Sequence, residues 1–275
     1  MAITNFITTV WSESLLDSLE KEYVAVRNCN REFEGEIKAA GDSVKVCAVG
    51  SVNLFPYVKN DDLQDPQVLD DKAVRINANV ARAFNFQIDD IDKAQSVPSI
   101  MRSAMRQAAS ALANSADSYV FGLYENVLNT NYVNNDAVTA DNIIDTIIAV
   151  REKMLTNNVN SNTETVLEVS PAIASLILKA QITKLSNNAD AIYNGYIGSF
   201  IGFDIYVSNN IVCSDGNYKC FARTKRAIAF AEKIKSIVAY RPENRFADAV
   251  KGLYLYGATI VYPEELIVVN LKPAA

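Results

Sequence analysis

The chain contains no histidine. That removes the side chain that most often moves protons near neutral pH, and with it most zinc sites and every Ser/His/Asp triad. Cysteine offers little in exchange. Cys213 and Cys220 have six residues between them, where a zinc knuckle has two to four, and Cys29 and Cys47 supply no second pair of suitable spacing. Four cysteines scattered through 275 residues do not form a disulfide framework, so free thiols in a reducing cytoplasm are expected. Gly195, Gly198 and Gly202 lie in GYIGSFIG, which fits neither the dinucleotide fingerprint nor the phosphate loop, and no Lys-Ser or Lys-Thr follows. They read as glycines shaping a loop ahead of a strand at Phe203–Val207. Asp89, Asp90 and Asp92 lack the glycine and closing glutamate of a calcium loop. They read as acids ahead of a helix, where the helix dipole favours negative charge. Carboxylates are so frequent that choosing two as a hydrolase pair would be arbitrary. No catalytic, cofactor-binding or metal-ligating residue is assigned.

The elements around these residues are better defined than any site. Residues 96–128 predict one long amphipathic helix, with Ser96 as N-cap and Pro98 in the first turn, where its missing N–H costs nothing. Val97, Met101, Ala104, Met105, Ala108, Leu112, Tyr119, Leu123 and Val127 share one face, while Arg102, Arg106, Gln107, Asn114 and Asp117 fall elsewhere. Such a rod would be about 45 Å long at about 1.5 Å per residue, which suits an elongated subunit. Before it, residues 11–21 (WSESLLDSLEK) have helical spacing, 23–27 alternate weakly, and 44–49 and 74–80 read as strands. Between those strands lies a proline-containing acidic stretch that predicts a projecting two-stranded arm. Phe84, Phe86 and Ile88 alternate with polar residues, giving a strand with one buried face. After a turn-rich gap at 129–136, the chain alternates. A helix is expected over 139–155, a strand at Thr165–Val169, a helix over 171–181 and the strand at Phe203–Val207. Further strands are expected at 227–230, 236–240, 253–262 and 266–270. This is an α+β pattern in two lobes.

Composition excludes several classes. With 49% hydrophobic residues the chain can bury a large core. A net charge of −6 argues against wrapping nucleic acid with the whole surface. No stretch approaches the ~18 apolar residues of a membrane span, and residues 1–10 do not resemble a signal peptide, so neither membrane nor export is expected.

In order, residues 11–21 (WSESLLDSLEK), 30–37 (NREFEGEI), 41–44 (GDSV), 84–95 (FNFQIDDIDKAQ), 169–171 (VSP), 194–210 (NGYIGSFIGFDIYVSNN) and 252–263 (GLYLYGATIVYP) resemble the major capsid proteins of tailed bacteriophages. The resemblance implies the Hong Kong-type capsid fold. An N-terminal arm and short helix would occupy 1–41 and an extended loop 42–82. A peripheral domain with its spine helix would take 83–136 and 232–275, and an axial domain 137–231. It implies a non-enzymatic virion protein that assembles with itself as hexamers and pentamers, in the host cytoplasm, around double-stranded DNA. No scaffolding segment fits ahead of the residue 11 helix, so the expected partners are a portal and a separate scaffolding protein, the alternative being that the sequence is only the mature part of a processed chain. No cofactor is implied. An encapsulin-like nanocompartment is the alternative on the same fold, and a cytosolic α+β enzyme is the alternative of another class.

Charge is uneven along the chain. Residues 59–71 hold five aspartates and one lysine, whereas residues 219–251 hold nine basic and three acidic residues. In a shell subunit the arm must land on a neighbour, and complementary charge fixes the register of such contacts. Asp61, Asp62 and Asp65 at the arm tip, and Arg241 and Arg245 flanking Pro242 in a turn, are therefore the candidate inter-subunit residues.

Overall fold

The computed structural model describes Leu15, Ser18, Leu19, residues 22–32 and 43–49, Leu54, Pro56, Lys59, and residues 71–89, 100–184 and 196–274. In chain order the strands and helices are β1 (Ser43–Val49), β2 (Asp71–Asn77), β3 (Val80–Asp89), α1 (Ile100–Gly122), β4 (Tyr132–Val138), α2 (Ile143–Thr156), β5 (Thr165–Val169), α3 (Pro171–Lys184), β6 (Tyr196–Phe200), β7 (Phe203–Val207), β8 (Cys213–Ser214), β9 (Asn217–Thr224), β10 (Ile228–Tyr240), β11 (Ala247–Ile260) and β12 (Leu266–Pro273).

The expected long helix is real but shorter than its hydrophobic pattern. α1 ends at Gly122, and residues 123–126 tighten into a 3₁₀ turn before Val127 becomes extended. Leu123 and Val127 are buried as the pattern requires, but by the turn and not by a continuing helix. Ser96, Val97 and Pro98 lie outside the described residues, as does most of the 11–21 helix, of which Leu15, Ser18, Leu19 and Glu22 are helical. Residues 23–27 do not form a strand; Val26–Asn28 is a 3₁₀ turn. Ala109 is fully buried midway along α1. Ala109→Pro removes a backbone hydrogen bond and clashes with the preceding turn, so it should cost about 3 kcal/mol or more. The expected result is insoluble or unassembled protein, read by soluble yield and sedimentation.

α1 lies on a three-stranded antiparallel sheet of order β10-β11-β3. Phe84 and Phe86 stack at 6.0 Å between centroids, and Tyr119 meets the edge of Tyr256 at 5.6 Å. β10 is one strand where two were expected, with its register broken between Ile234 and Ser236. β1 and β2 pair antiparallel from Ser43↔Asn77 to Val49↔Asp71, the root of the expected arm.

The second sheet has seven strands, in the order β4-β12-β9-β5-β7-β6 with β8 beside β9. Every residue of β5 is buried, the continuous pattern of a strand covered on both faces. The tight turns are left-handed where required. Ile201 and Gly202 turn β6 into β7, and Asp215 and Gly216 turn β8 into β9, all with positive φ. One placement differs from expectation. β12 was grouped with the peripheral segments, yet it lies inside this sheet, parallel to β4 and antiparallel to β9. Its residues Leu266 to Leu271 are buried there, so the C-terminal strand completes the core of the second lobe.

Candidate assembly surfaces and the buried clamp

Three surface features stand out, and each is positioned by packing beneath it. The first is the arm root. Ile76 and Ala78 are fully buried against Ala229, Ala231 and Val261 in a small core of their own. Gly257 makes this seat possible, since a Cβ there would stand 2.1 Å from the Asn77 carbonyl oxygen.

The second is the turn between β10 and β11. Arg241, Glu243, Asn244 and Arg245 are exposed and Phe246 is 81% exposed. The base of the turn is fixed, because the Tyr240 hydroxyl donates to Asn85 Oδ1 at 3.0 Å and the Lys251 ammonium sits 4.9 Å from the Tyr240 ring centroid. Arg241 and Arg245 are thus both exposed, in the one turn between β10 and β11. Asp61, Asp62 and Asp65 lie outside the described residues, as do Asp90, Asp92 and Gly195.

The third is an apolar face on α2, where Ile148 and Leu155 are about half exposed and form a shallow groove with Ile201. The groove's arginine serves the fold: Arg151 donates to Thr165 Oγ1 at 3.0 Å and to the Ser161 carbonyl at 3.2 Å, and its guanidinium lies 5.5 Å from the Phe203 ring centroid.

Inside the molecule is a polar cluster that sequence reasoning missed. Arg223 and Glu168 are completely buried. Arg223 Nε and Nη2 donate to the two Glu168 carboxylate oxygens at 3.0 and 2.8 Å. The remaining donors go to the carbonyls of Asn28 (2.7 Å) and Ala25 (2.8 Å) and to Cys29 Sγ (3.4 Å). All five guanidinium N–H groups are thereby used. The Asn28 amide completes Glu168 at 3.1 Å. One turn away, Asp117 on α1 accepts the backbone N–H groups of Val24, Ala25 and Val26, each at 3.0 Å. Burial pushes the Asp117 carboxyl up to about 6 although these donors pull it down. A carboxyl raised in this way favours the folded state most when protonated, so its contribution falls as pH rises through about 6. On the other side Tyr23 and Tyr254 donate to Glu232, which also pairs with Arg31 at 2.8 Å. Burial, and then the nearby Glu232 charge, raises both phenols. Residues 23–31 therefore clamp α1 to both sheets. The clamp has no room for a substrate, because its central charges are enclosed and satisfied. One signal for it was available: Glu168 and Arg223 interrupt otherwise apolar or small-residue strands, TVLEV and CFART.

Cys29, Cys213 and Cys220 are free thiols, only Cys213 being exposed. Burial pushes Cys29 up to about 11 and Cys220 up to about 12, so neither forms thiolate near neutrality. Under native conditions a maleimide should label Cys213 within minutes and leave Cys29 and Cys220 unmodified, as read by peptide mapping. Among the described residues no group of three or more Cys, Asp or Glu could hold a metal ion.

Comparison with known proteins places this arrangement. A solved structure of Mycobacterium phage Che8 shares the fold at a TM-score of 0.71, with 24% identity over 90% of both chains. The capsid of Ralstonia phage GP4 matches at a TM-score of 0.69, with 10% identity over 94% of this chain and 91% of that one. The SrpI encapsulin complex of Synechococcus elongatus is less similar, at a TM-score of 0.58 with 13% identity over 85% of this chain and 82% of that one. No curated protein matches the chain. The likenesses show the Hong Kong-type capsid fold that the sequence motifs implied. The model of the phage capsid protein family covers residues 71–269, most of the chain, and the chain belongs to that family.

Proposed function

We propose that this capsid protein tiles hexamers and pentamers into the icosahedral shell of a tailed phage, enclosing double-stranded DNA without sequence specificity and without catalysis. The reading gives each lobe a task. α1 with the β10-β11-β3 sheet is the peripheral domain, the seven-stranded sheet with α2 and α3 is the axial domain around the capsomer axis, and the β1–β2 pair is the root of an extended loop that reaches a neighbour. A portal and a separate scaffolding protein are the expected partners, and assembly takes place in the host cytoplasm. The acidic residues Asp61, Asp62 and Asp65 and the basic turn at Arg241 and Arg245 are contact residues between subunits.

The observation that carries the reading is the family match spanning the α1 lobe and the second sheet together. Electron microscopy and sedimentation of the expressed protein test it. Closed shells of uniform size are the expected result, and a monomer or small oligomer under all assembly conditions would refute it. Shells that copurify with a packaged cellular enzyme, and never with DNA or a portal, would replace it with the encapsulin-like reading.

A further inference from the structure

Three carboxylates lie buried around the segment 23–31: Glu168 on β5, Glu232 on β10 and Asp117 on α1. Two of them hold an arginine. Glu168 takes Arg223 through both oxygens, and Glu232 pairs with Arg31 at 2.8 Å. Among the described residues Asp117 is held by backbone N–H groups alone, and all three come from the segment. The Arg223 guanidinium cannot serve it too, because its five N–H groups are already used. The interior here therefore carries one negative charge more than its cations balance.

Amide donors stabilise a buried carboxylate, yet a charge without a counter-charge away from water is costly, and a proton removes it. The two oxygens of Asp117 are not equivalent. Oδ1 accepts the N–H groups of Ala25 and Val26, both buried, whereas Oδ2 accepts only that of Val24, which is half-buried. A proton on Oδ2 thus costs the one bond whose donor lies near solvent and leaves the two interior bonds in place. The other groups facing this site keep their charge state. Burial pushes the Cys29 thiol and the Tyr23 and Tyr254 phenols up, so they stay neutral, and the two arginines stay charged. Asp117 is pushed up by burial to about 6 against the pull of its donors. When the segment lifts away, Asp117 meets water and returns to the ordinary carboxylate range.

We propose that residues 23–31 form a strap that opens as a unit and that mild acid closes more tightly, by uptake of one proton on Asp117 Oδ2. The strap matters beyond itself. Its carbonyls at Ala25 and Asn28 receive Arg223 from β9, and Asn30 exchanges backbone hydrogen bonds with Ile228 and Phe230 of β10, so its opening uncouples α1 from both sheets. The device is independent of the shell reading. Its sign follows from linkage: the docked carboxyl binds protons more readily than the open one, so the added stability is fully present below the ordinary carboxylate range and is lost as pH rises through about 6.

Amide hydrogen exchange on the wild-type protein, corrected for the intrinsic pH dependence of exchange, reads the opening directly. At the Asn28, Cys29 and Asn30 amides, which the docked strap protects, opening should be about tenfold rarer at about pH 5 than at about pH 7. The Val24 amide should move the other way relative to Ala25 and Val26, since its acceptor is then protonated. Asp117→Asn cannot take up the proton and should show equal opening at both pH values. Wild-type opening that is unchanged or more frequent at the lower pH would overturn the device. So would Val24, Ala25 and Val26 changing together, or an Asp117→Asn protein that keeps the wild-type pH dependence. If Asp117→Asn does not fold, the divergence of Val24 from its two neighbours in the wild type decides the matter alone.

Discussion

Arg223→Met should destabilise the subunit by about 3–5 kcal/mol, because it leaves the Glu168 carboxylate buried without its partner. With a total folding free energy of about 5–15 kcal/mol for an ordinary domain, that loss should shift much of the protein into inclusion bodies. Four groups lose a donor at once: Glu168, the carbonyls of Asn28 and Ala25, and Cys29 Sγ. The informative comparison is the double variant Arg223→Met, Glu168→Leu. Removing both charges of a buried pair is often neutral or stabilising. Here the Asn28 carbonyl would remain unsatisfied, at about 1–3 kcal/mol, while the Ala25 carbonyl still accepts the Asn28 N–H at 3.1 Å. Partial recovery is therefore expected in urea denaturation, with a midpoint between wild type and the single variant. A double variant as unstable as the single would show that the two charges are not coupled.

Gly257→Ala should act on the arm. The added Cβ would meet the Asn77 oxygen at 2.1 Å, the Asn77 carbonyl carbon at 2.8 Å and Ala78 Cα at 3.1 Å, all of them backbone atoms. No side chain can swing aside, so the link from β2 to β3 must lift from the sheet and carry Ile76 and Ala78 out of their small core. Overpacking of this kind costs about 1–3 kcal/mol. The larger effect expected is geometric, a redirected arm root that leaves a folded subunit unable to close shells. Gly122→Ala is the control. Its Cβ would meet nothing within 4 Å, and replacing a helical glycine should stabilise by about 0.5–1 kcal/mol. Melting temperature should therefore move in opposite directions for the two variants, while sedimentation should change for Gly257→Ala alone. Normal shells from Gly257→Ala would show that the seat does not set the arm.

Local pattern was enough to read the elements whose burial repeats along the chain. β5 and β7 have the expected bounds because continuous or alternating apolar residues bounded by polar ones admit few other readings. The end of α1 was misread because Leu123 and Val127 keep the helical interval, and that interval cannot distinguish a helix from a 3₁₀ turn buried on the same side. Asp117 was placed away from the buried face as a polar helical residue. It is in fact 1% exposed, because three backbone donors distant in sequence need an acceptor there. The sheet that β12 joins was not legible because its partners are chosen in space. Strand pairing with β4 and β9 leaves no trace in the local order of residues. Of the candidate contact residues, Arg241 and Arg245 could be read as exposed from the neighbouring proline and polar residues. Phe246 could not, since hydrophobicity alone would have buried it.

The position of β12 also bears on when the subunit can fold during synthesis. The strand lies between β4 and β9 yet is made after both, and the clamp joins Asn28 to Arg223 across 195 residues. Contacts so distant along the chain form slowly, since loop closure must be met before they contribute. A growing chain would hold β4 and β9 without the strand between them until β12 had been made. A chain terminated before Leu266 would never close that sheet. A subunit lacking β12 would leave facing edges of β4 and β9 unpaired in the middle of the sheet.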